Sequence, residues 1–197
     1  MTLSILAIGL GLFGYAFYAR GILQGKIKPH AFTWFVWGVL TAIAFVAQIS
    51  SGGGPGAWAT GFTALCSFAF AIVGLSESSR VLIAKSDWAF FFLSLLAIPM
   101  WRITGNPLWA ILIITVTDAI AFIPTFRKAY HHPETENKWT YTLSGLKFLV
   151  SLFALQSFNW TTALYPASLV LADLVFVMML VWRKQVRSNP APKRALI

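Results

Sequence analysis

Residues 106–128 read NPLWAILIITVTDAIAFIPTFRK, and the predicted fold follows from the pattern in this stretch. Residues 106–126 form an apolar run of the length that a helix needs to cross a bilayer, about 20 residues. Asp118 lies near the middle of that run, where one charge costs about 2.5–3.5 kcal/mol on membrane-insertion scales. The stretch therefore predicts a membrane helix whose polar face is turned toward the interior of a helix bundle.

The composition of the whole chain agrees with a membrane protein. Its 197 residues are 58% hydrophobic and only 11% charged, whereas a soluble domain carries about 25% charged residues. The net charge of +9 comes from basic residues in short loops and the C-terminal tail, a distribution typical of membrane topology signals and not of nucleic-acid binding. Cys66 is the only cysteine, which excludes an intramolecular disulfide and a cysteine metal site.

Other apolar stretches resemble residues 106–126, and together they give seven predicted transmembrane helices. The predicted spans are residues 2–19, 31–49, 57–75, 88–103, 106–126, 139–158 and 161–182. Lys and Arg lie mainly after the first, third, fifth and seventh spans, and Arg102 alone lies on the opposite side. The positive-inside rule then predicts an external N-terminus and a cytoplasmic C-terminus in a plasma membrane, with the bacterial inner membrane as the leading assignment.

The two halves of the chain carry similar features in the same order, at an offset of roughly a hundred residues. Trp34 and Trp139 each open a span after a basic loop, and Trp58 and Trp160 each follow a later polar turn. This order indicates two parallel three-helix repeats, a plan from which transporters are built. The sequence thus predicts an all-α membrane protein with a first repeat in residues 1–75, a linker helix in residues 76–105, a second repeat in residues 106–183 and a disordered cytoplasmic tail in residues 184–197.

This arrangement of three, one and three helices resembles the SWEET and PQ-loop superfamily, which includes SWEET sugar transporters, cystinosin-like carriers and the KDEL receptor. The best local match is Phe122-Ile123-Pro124-Thr125-Phe126-Arg127-Lys128, which is similar to the Pro-Thr-Phe and basic residues that end the first helix of a SWEET repeat. The resemblance implies a pathway between the two repeats, a solute site near the bilayer midplane and a hinge at Pro124. Trp34-Phe35-Val36-Trp37 carries a weaker resemblance to the PnuC vitamin transporters, which share this architecture.

Three charges at membrane depth, Asp118, Lys147 and Asp173, form the centre of the predicted site. Ser144 lies on the same helix face as Lys147, and Trp37 is a candidate for stacking on a solute, with ordinary packing as the alternative. In the functional interpretation Lys147 neutralises one aspartate, while the other binds a proton, a cation or a cationic part of the substrate. In the structural interpretation the three charges form a static salt-bridge cluster that fixes the helix register.

These observations predict a transporter of a small solute, with proton coupling through Asp118 or Asp173 as one option. A receptor or scaffold that binds a ligand without moving it is the alternative on the same fold. An enzyme is not expected, because the membrane-depth residues offer no nucleophile–histidine pair and no histidine cluster. The predicted partners are the solute, the lipid bilayer and optionally protons; no cofactor, metal or nucleic acid is expected, and homo-oligomerisation is left open.

Overall fold

The computed structural model describes residues 1–25, 29–76 and 85–188, which form seven α-helices and two 3-10 helices with no β-strand. The predicted all-α class is confirmed. Lys26, Lys28, Arg80 and the tail after residue 188, on which the topology prediction also drew, lie outside the described residues. The helices are α1 (Thr2–Leu23), α2 (Ala31–Ser50), α3 (Trp58–Ser76), α4 (Lys85–Thr104), α5 (Leu108–His131), α6 (Lys138–Phe153) and α7 (Trp160–Ser188), and the 3-10 helices are Gly54–Ala57 and Pro133–Thr135.

Five helices are long and apolar enough to cross a membrane: α1, α2, α3 with the 3-10 helix before it, α5 and α7. The apolar part of α4 is shorter, Trp88–Thr104, and α6 has 16 residues. Four predicted helix ends are wrong by four or more residues: α1 continues to Leu23 and α5 to His131, past residues 19 and 126, and α6 and α7 also differ. α6 ends at Phe153 rather than at residue 158, because the chain turns there and pairs with another loop. α7 continues to Ser188, so residues 184–188, which include the good helix formers Lys, Gln and Arg, are helical and not part of a disordered tail.

Helix contacts follow one pattern in the first three helices and again in the last three. α3 packs against both α1 and α2, and α7 packs against both α5 and α6. The two sets meet along two seams, because α1 contacts α6 and α2 contacts α5. α4 packs against α2 and α5. A space remains between the two sets of helices, and the candidate site lies in it.

An apolar core joins α2, α4, α5 and α7. Leu40 of α2 and Ile111 and Ile114 of α5 are fully buried there, together with the small residues Ala97 of α4 and Ala110 of α5. Helices in a bilayer gain little from the hydrophobic effect when they associate, so small residues that permit close van der Waals contact stabilise such seams. This core holds one side of the central space in a fixed shape.

Two loops pair with each other at one end of the bundle. The backbone N–H of Gln156 donates to the carbonyl of Gly53 at 3.2 Å, and the N–H of Ser157 donates to the carbonyl of Gly52 at 3.1 Å. We call residues 51–57 together with residues 154–159 the loop clasp. Because backbone groups make these bonds, the clasp joins the α2–α3 connection to the α6–α7 connection.

Glycine makes the close approach in the loop clasp possible. Gly54 has a φ of +56°, in the left-handed region that favours glycine. A Cβ built on Gly56 would lie 2.5 Å from the backbone nitrogen of Leu155, so no side chain fits at that position. Asn159 adds a further link, since its side-chain nitrogen donates to the carbonyl of Ser51 at 3.2 Å.

Replacing Gly56 with alanine should destabilise the protein by about 1–3 kcal/mol, because the added methyl group overpacks the loop clasp. Gly9→Ala in α1 is the matched control: a Cβ there meets nothing within 4 Å, and alanine is the better helix former by about 0.8–1.0 kcal/mol. Unfolding in detergent measures both variants. Equal stability of the two variants would contradict this description of the clasp.

Candidate functional site

A cavity of about 180 Å³ lies between the two sets of helices. Residues of α1, α2, α3, α5, α6 and α7 line it, and α4 contributes none of the described lining residues. Its two charged lining residues are Asp118 of α5 and Asp173 of α7. The structure therefore brings two of the three predicted intramembrane charges to one cavity.

Asp173 is 8% exposed and carries a buried oxygen, Oδ2, that has no hydrogen-bond partner among the described residues. Gly145 of α6 allows α6 and α7 to approach here, since a Cβ on it would lie 3.3 Å from the Cβ of Asp173. Ser144 does not line the cavity but is a polar neighbour of the Asp173 carboxyl. A buried carboxylate oxygen without a partner is costly, and it can accept a hydrogen bond or a cation from a bound molecule.

Among the described residues, Asp118 has one hydrogen-bond partner, the phenol of Tyr165. The Tyr165 hydroxyl donates to Oδ2 of Asp118 over a long distance of 3.5 Å, and Tyr165 itself is 1% exposed. Thr115 lies one turn before Asp118 and also lines the cavity, and its hydroxyl oxygen is buried without a partner among the described residues. Helix α5 thus presents two polar groups to the cavity whose hydrogen-bonding capacity is largely unused.

Lys147 forms no salt bridge with either aspartate among the described residues, so the static salt-bridge cluster of the structural interpretation is not present. Neutralisation of an aspartate by Lys147 over a longer distance stays a prediction. Within the described residues its Nζ has no carboxylate oxygen within 4.0 Å. It instead donates to the hydroxyl of Thr63 at 2.9 Å, and Thr63 in turn donates to the carbonyl of Ala59 at 2.8 Å. The ammonium also lies 4.1 Å from the ring centre of Phe148 and 5.1 Å from that of Tyr15, distances at which cations interact with aromatic rings.

The path of the Lys147 side chain explains why a salt bridge does not form. Lys147 starts on α6 and crosses to the first set of helices, where Gly11 of α1 leaves space for its stem: a Cβ on Gly11 would lie 2.8 Å from Cδ of Lys147. The ammonium therefore ends on α3, beside Thr63, which itself lines the cavity. Lys147 is 2% exposed and does not line the cavity, but its ammonium lies against Thr63, Phe148 and Tyr15, which do.

Trp37 lines the cavity, as the prediction of a cavity-lining tryptophan requires, and Trp34 lines it as well. The indole N–H of Trp34 donates to the hydroxyl of Tyr18 at 2.9 Å, which fixes the orientation of that ring. The Trp34 and Trp37 rings meet edge to face with centroids 5.2 Å apart. Stacking of either ring on a solute stays a prediction.

Pro124 lies outside the cavity, inside a continuous α5 helix that extends to His131. It lines a second pocket of about 260 Å³ that also includes Thr33, Phe90 and Trp37. Proline removes one backbone hydrogen bond within a helix and favours a local bend. The hinge role of Pro124 stays a prediction.

Sequence reasoning missed several residues of the site: Tyr15, Trp34, Thr63, Phe148 and Tyr165. A signal was present for Tyr165, because it lies eight residues before Asp173 and so on the same face of α7. Thr63 is one of the two threonines on α3, and only its contact with Lys147 distinguishes it. No group of three or more His, Cys, Asp or Glu in the described part of the chain could hold a metal ion.

Thr63→Val should destabilise the protein by about 1–3 kcal/mol, because it removes the acceptor that holds the buried ammonium of Lys147. Thr60→Val is the control on the same helix, since the Thr60 hydroxyl oxygen is buried without a partner among the described residues and its loss should be neutral or stabilising. Adding Lys147→Met to Thr63→Val should recover much of the lost stability. Unfolding in detergent measures the stability of the wild type and of the three variants. Equal destabilisation by Thr63→Val and Thr60→Val would contradict the role of Thr63 as the partner of Lys147.

Comparison with known proteins adds no assignment. No protein-family model matches the chain, and neither a curated protein nor a solved structure resembles it at a significant level. The function is therefore argued from the cavity and the residues that line it.

Proposed function

We propose that this chain is a multi-pass membrane transporter of a small solute, and that the solute binds in the cavity between the two sets of three helices. The observation that carries the proposal is the lining of the cavity: six helices contribute to it, and two carboxylates face it. Intramembrane charges that face a cavity usually mark a substrate or ion pathway. The unpartnered oxygen of Asp173 supports a binding role over a purely structural one.

The two sets of helices are proposed to be parallel repeats. The third helix of each set packs on the first two, and the seams pair α1 with α6 and α2 with α5. If α1, α2 and α3 changed places with α5, α6 and α7, the α1–α6 contact would become the α5–α2 contact. Two repeats related by a twofold rotation require this correspondence. Transporters built from parallel repeats hold their solute between the repeats. α4 then serves as the linker that lets both repeats insert in the same direction.

The proposed setting is a plasma membrane, with the bacterial inner membrane as the leading assignment, an external N-terminus and a cytoplasmic C-terminus. In that setting α4 and α6 cross the bilayer together with the five longer helices. The loop clasp lies at the external end, because it connects α2 to α3 and α6 to α7. Basic residues such as Arg127, Lys128 and Arg183 lie at the opposite end.

Transport requires that the cavity open in turn to each side of the membrane. With the loop clasp paired, the external end is held together by main-chain hydrogen bonds. We assign the clasp the role of an external gate that separates when the two repeats rock against each other. Pro124, near the opposite end of α5, is the proposed hinge for the cytoplasmic side.

A disulfide across the loop clasp should stop transport. A Cβ on Gly52 would lie 3.3 Å from the Cβ of Ser157, close to the separation of about 3.5–4.5 Å found in disulfides. In a Cys66→Ala background, the Gly52→Cys/Ser157→Cys variant should therefore lose solute uptake when oxidised and regain it when reduced. Each single cysteine variant, treated with the same oxidant, is the control, and uptake by reduced Gly52→Cys measures the cost of a side chain at a φ of +81°. Full uptake by completely cross-linked protein would show that this end need not open.

Asp173→Asn should reduce solute uptake into proteoliposomes by at least about tenfold, because a hydrogen bond to a charged group contributes about 1.5–3 kcal/mol. Glu134→Gln is the matched control, since Glu134 is exposed and does not line the cavity. The assay uses a broad panel of amines, amino acids, sugars and nucleosides. If no solute enters the proteoliposomes, the proposed transport function is wrong. Tight binding of a solute that does not enter would favour a receptor.

A further inference from the structure

We propose that the solute is a small organic cation, with an ammonium group held between the two aspartates and the surrounding rings. This inference rests on the proposed function, because it takes the central cavity as the solute site. It adds the chemical class of the solute, which neither the helix arrangement nor the presence of a cavity specifies.

The first argument is charge. Asp118 and Asp173 line the cavity, and no Lys, Arg or His of the described residues does so. Lys147 is a buried cation near the cavity, but it donates to Thr63 and forms no ion pair within 4.0 Å in the part of the chain that the structure describes. When all three groups are charged, the site carries one net negative charge in a low-dielectric environment. A solute with one positive charge compensates it.

The second argument is the aromatic lining. Rings approach the cavity from five helices, and they are Tyr15, Trp34, Trp37, Phe122, Phe148 and Tyr165. Faces of Trp, Tyr and Phe attract organic cations, most strongly where water is excluded, and such cages recognise quaternary ammonium groups. A sugar, by contrast, needs many hydrogen-bond partners, and the hydroxyls of Thr41 and Thr63 already donate within their own helices.

The third argument is size. A cavity of about 150 Å³ accommodates a benzene molecule, so the space of about 180 Å³ fits a solute slightly larger than benzene. A bare metal ion would leave most of this volume empty. It would also lack the six to eight oxygen ligands, as a rough guide, that a hard divalent cation prefers. A compact substituted ammonium ion fits the negative charge, the aromatic lining and the volume of the cavity.

The test compares choline with 3,3-dimethylbutan-1-ol, a neutral molecule of nearly the same shape in which carbon replaces the charged nitrogen. Thermal unfolding of the purified protein in detergent is followed against the concentration of each, with sodium chloride added to equalise ionic strength. Choline should raise the unfolding temperature in a saturable manner, and the neutral molecule should not. Tetramethylammonium, which is smaller than choline, and benzyltrimethylammonium, which is larger, test the size of cation that the cavity accepts.

Variants separate the role of charge from folding. Asp173→Asn and Asp118→Asn should each weaken choline binding at least tenfold, while Glu134→Gln should leave it unchanged. Intrinsic tryptophan fluorescence provides a second binding readout, because Trp34 and Trp37 line the cavity. It also reports on variants whose thermal unfolding is altered for structural reasons.

Equal binding of choline and its neutral counterpart would overturn the inference, as would the absence of binding by all three cations. If a neutral solute is transported in either case, the proposed function stands and only the solute class is wrong. If no solute binds or crosses, both proposals fall. Binding of choline without its transport would support the cation site and contradict the transporter.

Discussion

The cost of burying a charge away from water is the constraint on which the rest of this structure depends. Lys147 reaches from α6 into the first set of helices, where its ammonium lies against Thr63 and the Tyr15 ring, with the Phe148 ring of α6 on its other side. Gly11 leaves the space through which the side chain passes. One side chain therefore links α6 to α1 and α3, along one of the two seams between the sets of helices.

The same arrangement keeps positive charge out of the cavity. A lysine paired with Asp173 would satisfy both groups, and such a pair mainly fixes geometry. Here the ammonium has its own partner in Thr63, and Oδ2 of Asp173 stays without one among the described residues. The separation favours the functional interpretation of these charges over the static cluster, since neither carboxylate of the two cavity-lining aspartates forms a salt bridge among the described residues.

Sequence reasoning recovered the helical class, most helix positions and the two aspartates, because hydrophobic length and a charge at membrane depth are local signals. It was wrong about the end of α6 and the start of the tail, where loop pairing and helix propensity beyond the apolar run decide the boundary. It also missed the partner of Lys147. Thr63 lies 84 residues before Lys147, and no local pattern distinguishes a threonine that accepts from an ammonium from one that only packs.

The loop clasp has a consequence for how the chain tolerates change. Its pairing bonds join main-chain atoms, so substitution of the side chains at Gln156 and Ser157 leaves those bonds available. The constraint falls on backbone shape, with Gly52 at a φ of +81° and Gly54 at +56°. Apart from Asn159, whose side chain donates to the carbonyl of Ser51, we expect the clasp to tolerate changes of side chain and to be restricted at its glycines, which is the reverse of the restriction expected around Asp173.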